Sequence, residues 1–150
     1  MERSSPTPAV DPDRWVAVLV AAFLTGAVTN PVAVLFIGIL ALPPEANEAH
    51  AIALLPLTLL IPVVALCIDL WAIRNPRPAG WAWAGLGLLA VVLVPRAAVA
   101  GIPLLVAGGA LLQLRSTALP LPGRAWMLTL ASYVVGGAVG YVALQALGGG

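Results

Sequence analysis

The number of helices in this chain is decided by residues 79–114, which read AGWAWAGLGLLAVVLVPRAAVAGIPLLVAGGALLQL. A single helix over this stretch would be ~54 Å long, nearly twice the thickness of a bilayer's hydrocarbon core. Pro95-Arg96 interrupts the apolar run near its centre, and a proline there removes a helical hydrogen bond. We therefore predict two helices, at about 79–94 and 97–114, joined by a tight turn.

Apolar runs also precede and follow this stretch, at about 15–42, 51–73 and 125–147. Each of these has at least the ~20 residues that a helix needs to cross a bilayer. The helices at 79–94 and 97–114 are slightly short, at ~24 and ~27 Å. The fold predicted is an all-α integral membrane protein, a bundle of five transmembrane helices. The alternative is three full spans plus a short helical hairpin at 79–114.

The composition predicts that lipid surrounds much of this chain. Its 150 residues are 61% hydrophobic and 9% charged, with mean hydropathy +1.04, whereas a soluble domain has about 25% charged residues. The net charge of +1 argues against a nucleic-acid partner, which needs a basic patch. The absence of lysine and the Ala, Gly, Pro and Val content suggest a GC-rich genome, and so a bacterial or archaeal inner membrane. Polar, proline-rich residues 1–14 are predicted to be a disordered or interfacial cytoplasmic tail, and 15–150 one polytopic membrane domain.

The arginines set the predicted orientation. With five crossings, six of the seven share one side, and Arg96 lies on the other side with Glu45 and Glu48. The six are Arg3, Arg14, Arg74, Arg77, Arg115 and Arg124. The positive-inside rule places these six, and the N-terminus, in the cytoplasm, and the C-terminus outside. The tryptophans Trp15, Trp71, Trp81, Trp83 and Trp126 also fall at the inner ends of spans, where an aromatic belt is expected. A four-span arrangement, in which 79–114 crosses once, loses both patterns.

Asp69 is the only acid inside an apolar span. Ionisable residues within a membrane are costly and often functional, so Asp69 is a candidate for proton or ion coupling. It also lies about a turn from the inner end of its span. The more ordinary interpretation is a carboxylate that reaches the interface or pairs with Arg74 or Arg77.

The first span carries a second polar cluster, formed by Thr25, Thr29 and Asn30 just before Pro31. Pro31 has no N–H to give to the carbonyl of Ala27, which leaves an acceptor free. Transporters build sites at such breaks, but a kinked helix whose polar groups bond to a neighbouring span has the same pattern. We favour the inter-helix contact and keep the polar path, with Asp69, as the alternative.

The last span contains Ser132, Gly136 and Gly140 at four-residue spacing, and the two glycines form a GxxxG motif. Small residues on one helix face let another backbone approach closely. This stripe is predicted to be a helix-packing face, either within the chain or between chains.

Motifs for soluble-type catalysis are missing from the sequence. There is no GxSxG, HExxH, CxxC or Walker lysine, so the chain is not expected to be an enzyme of those kinds. Cys67 is a lone cysteine and is expected to be a small buried hydrophobe. His50 is the only histidine, and it forms a predicted outer-loop cluster with Glu45 and Glu48, a solvated loop rather than a divalent-ion site. No metal and no cofactor are predicted.

The functional expectation is a non-catalytic accessory, assembly or scaffold subunit of a membrane complex. Its expected partners are the lipid bilayer and other membrane subunits or further copies of itself. The alternative is a small oligomeric transporter or channel that uses the polar break in the first span and Asp69.

Overall fold

The structure is a computed structural model that describes residues 12–41, 48–93, 98–114 and 123–148. These ranges form five α-helices and contain no strand, which confirms the all-α prediction. The helices are α1 (Pro12–Ala41), α2 (Glu48–Ala72), α3 (Pro76–Leu93), α4 (Ala98–Leu112) and α5 (Ala125–Gly148). Residues 79–114 thus form two helices, as predicted, while the proposed break at Pro95 and Arg96 lies outside the described residues.

Contacts between backbones fix the relative directions of the helices. On α5, Ser132 and Gly136 contact Leu19 and Phe23 of α1, so these two helices run parallel. In the α3–α4 pair, glycines 80 and 87 face glycines 108 and 101, which makes that pair antiparallel. A single crossing by 79–114 would have made α1 and α5 antiparallel. The four-span arrangement is therefore excluded.

Helix α1 is the central element, and it contacts α5, α2 and α4, while α3 packs mainly on α4. Small side chains dominate the core, and they let the helix backbones approach each other closely. The core consists of Val18, Ala21, Ala22, Ala65, Ala72, Ala79, Trp83, Leu104, Ala107, Leu111 and Tyr133.

The outer surface of the bundle is apolar. Large hydrophobic side chains are exposed on all five helices, among them Leu35, Val63, Val92, Val99 and Val142. Exposed apolar surface on this scale is typical of a face that meets a membrane or another protein. In the described part of the chain, the segments Pro12–Phe36 and Ala125–Leu147 are long and apolar enough to cross a membrane, and Thr58–Ala72 and Ala98–Leu112 are shorter apolar helices.

Candidate functional site

Asp69 lies at the centre of a buried polar cluster that joins three helices. Its side chain, on α2, is 1% exposed. The indole Nε1–H of Trp83 on α3 donates to Oδ1 at 2.9 Å. The hydroxyl of Thr25 on α1 lies 2.5 Å from Oδ2. We call Thr25, Asp69 and Trp83 the carboxyl cluster.

Small residues on each helix face allow this cluster to form. Asp69 shares its face of α2 with Ala65 and Ala72, which lie one turn before and one turn after it and are buried. Trp83 shares its face of α3 with Ala79 and with two buried glycines. The alanines bring the backbones close enough for side chains of moderate length to bond between helices.

The structure corrects the expectation that Asp69 reaches the interface or pairs with an arginine. Arg74 and Arg77 are exposed, and within the described residues neither forms an ion pair with Asp69. The reason is helical phase: Asp69 lies on the alanine face that packs against α1, whereas Trp71, two residues later, lies on the outer face and is half exposed.

A second polar cluster lies further along α1 and joins α1, α2 and α5. The Tyr133 hydroxyl on α5 donates to the carbonyl of Pro62 on α2 at 3.0 Å. The Thr29 hydroxyl lies 2.7 Å from the Tyr133 hydroxyl and bonds to the Thr25 carbonyl of its own helix at 2.8 Å. We call Thr29, Tyr133 and the Pro62 carbonyl the tyrosine cluster. Thr25 and Thr29 are one turn apart, so one face of α1 serves both clusters.

Asn30 contacts the tyrosine cluster, because its side chain is also a hydrogen-bond partner of Tyr133 on α5. Its Nδ2 donates to the carbonyl of Gly26, one turn earlier in α1, at 3.0 Å. It packs against Gly137 of α5, where a Cβ would come within 2.7 Å of Nδ2. Asn30 is therefore at a helix contact. Among the four residues of the predicted polar path, the structure brings Thr25 and Asp69 together directly. The other two, Thr29 and Asn30, both meet Tyr133.

The predicted packing face of α5 meets α1 of the same chain. Ser132 Oγ donates to the Leu19 carbonyl at 2.7 Å. A Cβ at Gly136 would overlap the carbonyl of Phe23, and one at Gly140 would overlap the carbonyl of Ala27. The Ala27 carbonyl is the acceptor that Pro31 leaves without its helical N–H, so glycine backbone on α5 covers it.

Two residues of the site were not predicted from the sequence as site residues. Trp83 was assigned to the interfacial belt, yet it is 2% exposed, while Trp81 is 70% exposed. The signal was available in the glycine and alanine positions one turn away from Trp83. Tyr133 follows Ser132 on the glycine face of α5, and this position brings its hydroxyl to the carbonyl of Pro62.

The chemistry open to these clusters is limited. No group of three or more His, Cys, Asp or Glu side chains that could hold a metal ion occurs among the described residues. The end of the bundle where α1 and α5 begin has a small crevice lined mostly by apolar side chains. It is lined by Trp15, Val18, Leu19, Ile73, Ala125, Leu128 and Thr129. The Thr129 hydroxyl is bonded to its own helix at Ala125.

Cys67 is exposed on α2, which corrects the expectation of burial, because its face of the helix points away from α1. Glu45 lies outside the described residues, as do the side chains of Glu48 and His50.

Comparison with known proteins gives no match: no protein-family model, no curated protein and no solved structure is similar to this chain.

Proposed function

We propose that this protein is a non-catalytic accessory, assembly or scaffold subunit of a membrane complex in a bacterial or archaeal inner membrane. One observation carries the proposal. The polar residues that a transport path would need are used in contacts between helices. Thr25, Thr29 and Asp69 are each buried, and each is hydrogen-bonded to a neighbouring helix. Such bonds lock a helix bundle together.

The proposal includes five crossings, with the N-terminus in the cytoplasm and the C-terminus outside. The parallel α1 and α5 support this, because they require an even number of direction changes between them. Helices α3 and α4, with 18 and 15 residues, are about 27 and 22 Å long. Spans somewhat shorter than the hydrocarbon core are accommodated by local thinning of the bilayer at modest cost.

The outer face of α5 supports a role in assembly. This helix packs mainly against α1, and large apolar side chains cover much of the rest of its surface. The exposed ones include Val134, Val135, Val139 and Val142. A peripheral helix with such a face is available to lipid or to a helix of another subunit.

Affinity purification from native membranes, followed by native mass spectrometry of the intact particle, tests the proposal. We expect a stoichiometric partner of a different mass. An unrelated tagged membrane protein of similar size, purified in parallel, controls for chance co-purification. Recovery of the chain only as a monomer or homo-oligomer would contradict the subunit proposal.

A second candidate, a small transporter or channel, is favoured by one specific observation. Asp69 is an ionisable group inside the bundle, and neither of the arginines nearest to it in sequence pairs with it. Buried carboxylates of this kind occur in proton relays of carriers. Asp69→Asn separates the candidates, because asparagine can keep the hydrogen bonds of the site but cannot carry a proton. A subunit should retain growth that depends on this gene with this substitution, whereas a carrier should lose it.

A further inference from the structure

The carboxyl cluster contains more acceptors than donors if Asp69 is ionised. The Thr25 hydroxyl has one proton and lies within hydrogen-bond distance of two oxygens: Asp69 Oδ2 at 2.5 Å and the Ala22 carbonyl at 3.1 Å. A carbonyl oxygen only accepts, and so does a carboxylate. An ionised Asp69 therefore leaves one of the two Thr25 contacts without a proton.

A proton on Oδ2 removes this conflict. The Asp69 O–H then donates to Thr25 Oγ1, the Thr25 hydroxyl donates to the Ala22 carbonyl, and the indole of Trp83 still donates to Oδ1. All three contacts become hydrogen bonds with a single donor each. The neutral acid also avoids placing an unpaired charge inside the bundle.

The groups around Asp69 offer little compensation for a negative charge. On α3 the basic residue is Arg77, which is exposed. Arg74, in the turn between α2 and α3, is exposed as well. Helix α4 contains no ionisable residue, and α5 contributes Tyr133, a neutral phenol bonded to Thr29 and Pro62. On α1, Asp13 and Arg14 lie about three helical turns before Thr25. Cys67, on α2 itself, is exposed on the opposite side.

We propose that Asp69 is a proton-binding site, and that the bound proton, donated to Thr25, closes a contact joining α1, α2 and α3. Loss of the proton leaves a charge to which, among the described residues, the Thr25 hydroxyl and the Trp83 indole are the hydrogen-bonding partners. It also takes the Thr25 proton away from Ala22. The contact is therefore held with the proton bound and weakened without it. This inference goes beyond the proposed subunit function and does not depend on a partner.

Infrared spectroscopy of the full chain in lipid nanodiscs tests the proton directly. The sequence has only three aspartates, Asp11, Asp13 and Asp69, so carbonyl-¹³C aspartate labelling gives an assignable signal. Near pH 6, where solvated aspartates are ionised, we expect one labelled carboxylic acid C=O band. Asp69→Asn should remove it, and Asp13→Asn should leave it. A spectrum with labelled carboxylate bands alone would overturn the proposal.

The same spectrum reports the bond to Thr25. Thr25→Ser keeps the hydroxyl and should leave the acid band in place. Thr25→Val removes the acceptor of the Asp69 proton, so the band should shift to higher frequency, as for a less strongly bonded acid. A band that is identical in the serine and valine variants would show that the proton is not donated to Thr25, and would overturn that part of the proposal.

A stability measurement checks the consequence. If the folded bundle holds one proton more than the unfolded chain, linkage requires the unfolding equilibrium constant to rise with pH, by up to about tenfold per pH unit. We expect this slope for the wild type in detergent micelles between about pH 5, where an unfolded aspartate is already ionised, and about pH 7, relative to Asp69→Asn. The asparagine variant keeps a donor for Thr25 and an acceptor for Trp83, but it cannot titrate. Parallel pH profiles of wild type and variant would overturn the proposal, whatever partner the protein has.

Discussion

At the scale of single residues, helical phase decides whether a polar or aromatic side chain faces the bundle or its surroundings. Trp81 and Trp83 are two residues apart on α3, and they are 70% and 2% exposed. Sequence alone predicts that tryptophans near a span's end lie at the interface. It does not predict that Trp83 donates a hydrogen bond to Asp69, because that contact depends on which faces of α2 and α3 meet.

Trp83→Phe should destabilise the bundle. The substitution removes the N–H that reaches Asp69 Oδ1 and leaves a buried acceptor unsatisfied, which costs about 1–3 kcal/mol. The free energy of unfolding in detergent micelles measures this cost. Trp81→Phe is the matched control on the same helix, and it should change the stability little. Equal losses in the two variants would mean that the indole bond contributes nothing.

Tyr133→Phe should weaken the tyrosine cluster by a smaller amount. The variant keeps the ring but removes the hydroxyl that bonds to the Pro62 carbonyl and contacts Thr29. Hydrogen bonds between membrane helices contribute about 0.6 kcal/mol on average and up to about 1.7 kcal/mol. Thermal unfolding should show a loss in this range. Tyr141→Phe, which removes an exposed hydroxyl bonded only to Gln145 of its own helix, should show almost none.

At the scale of elements, glycine pairs set how closely the helices pack, and the sequence reveals them unevenly. The GxxxG motif of α5 was recognised because its four-residue spacing lies within one helix. The α3–α4 contact uses glycines seven residues apart, at 80 and 87 on one helix and at 101 and 108 on the other. That spacing does not predict the α3–α4 contact until the antiparallel register is known, because each glycine allows close approach only where it lies opposite its partner on the other helix.

Gly108→Ala and Gly109→Ala test this contact with neighbouring residues. A Cβ at Gly108 would come within 2.5 Å of the Ala84 backbone nitrogen and 2.7 Å of the Gly80 carbonyl, whereas one at Gly109 meets nothing within 4 Å. Overpacking of this kind costs about 1–3 kcal/mol. Alanine at an open helical position instead gains up to about 1 kcal/mol. The two variants should therefore move the unfolding temperature in opposite directions. A loss of equal size in both would argue against close α3–α4 packing.

At the scale of the whole molecule, the sequence predicted all-α architecture and the division of 79–114 into two helices. It could not say how the helices assemble, because apolar periodicity is weak when lipid and the protein core are equally apolar. The central place of α1 follows instead from its small-residue face, which contacts α2, α4 and α5. The parallel α1 and α5 rule out four spans, and they fit both five spans and three spans with a hairpin.

Cysteine accessibility in intact cells distinguishes these two arrangements. In a Cys67→Ala background, single substitutions Asn75→Cys, Arg96→Cys and Ser116→Cys place one thiol in each connection around α3 and α4. Five crossings require that a membrane-impermeant thiol reagent added outside labels only the Arg96→Cys variant, and that the other two react only after the membrane is permeabilised. A hairpin that enters and leaves from the cytoplasm would protect Arg96→Cys from the outside reagent, with the other two unchanged. Because Asn75→Cys and Ser116→Cys behave alike in both arrangements, they are the internal controls, and position 96 alone decides whether the α3–α4 pair spans the membrane.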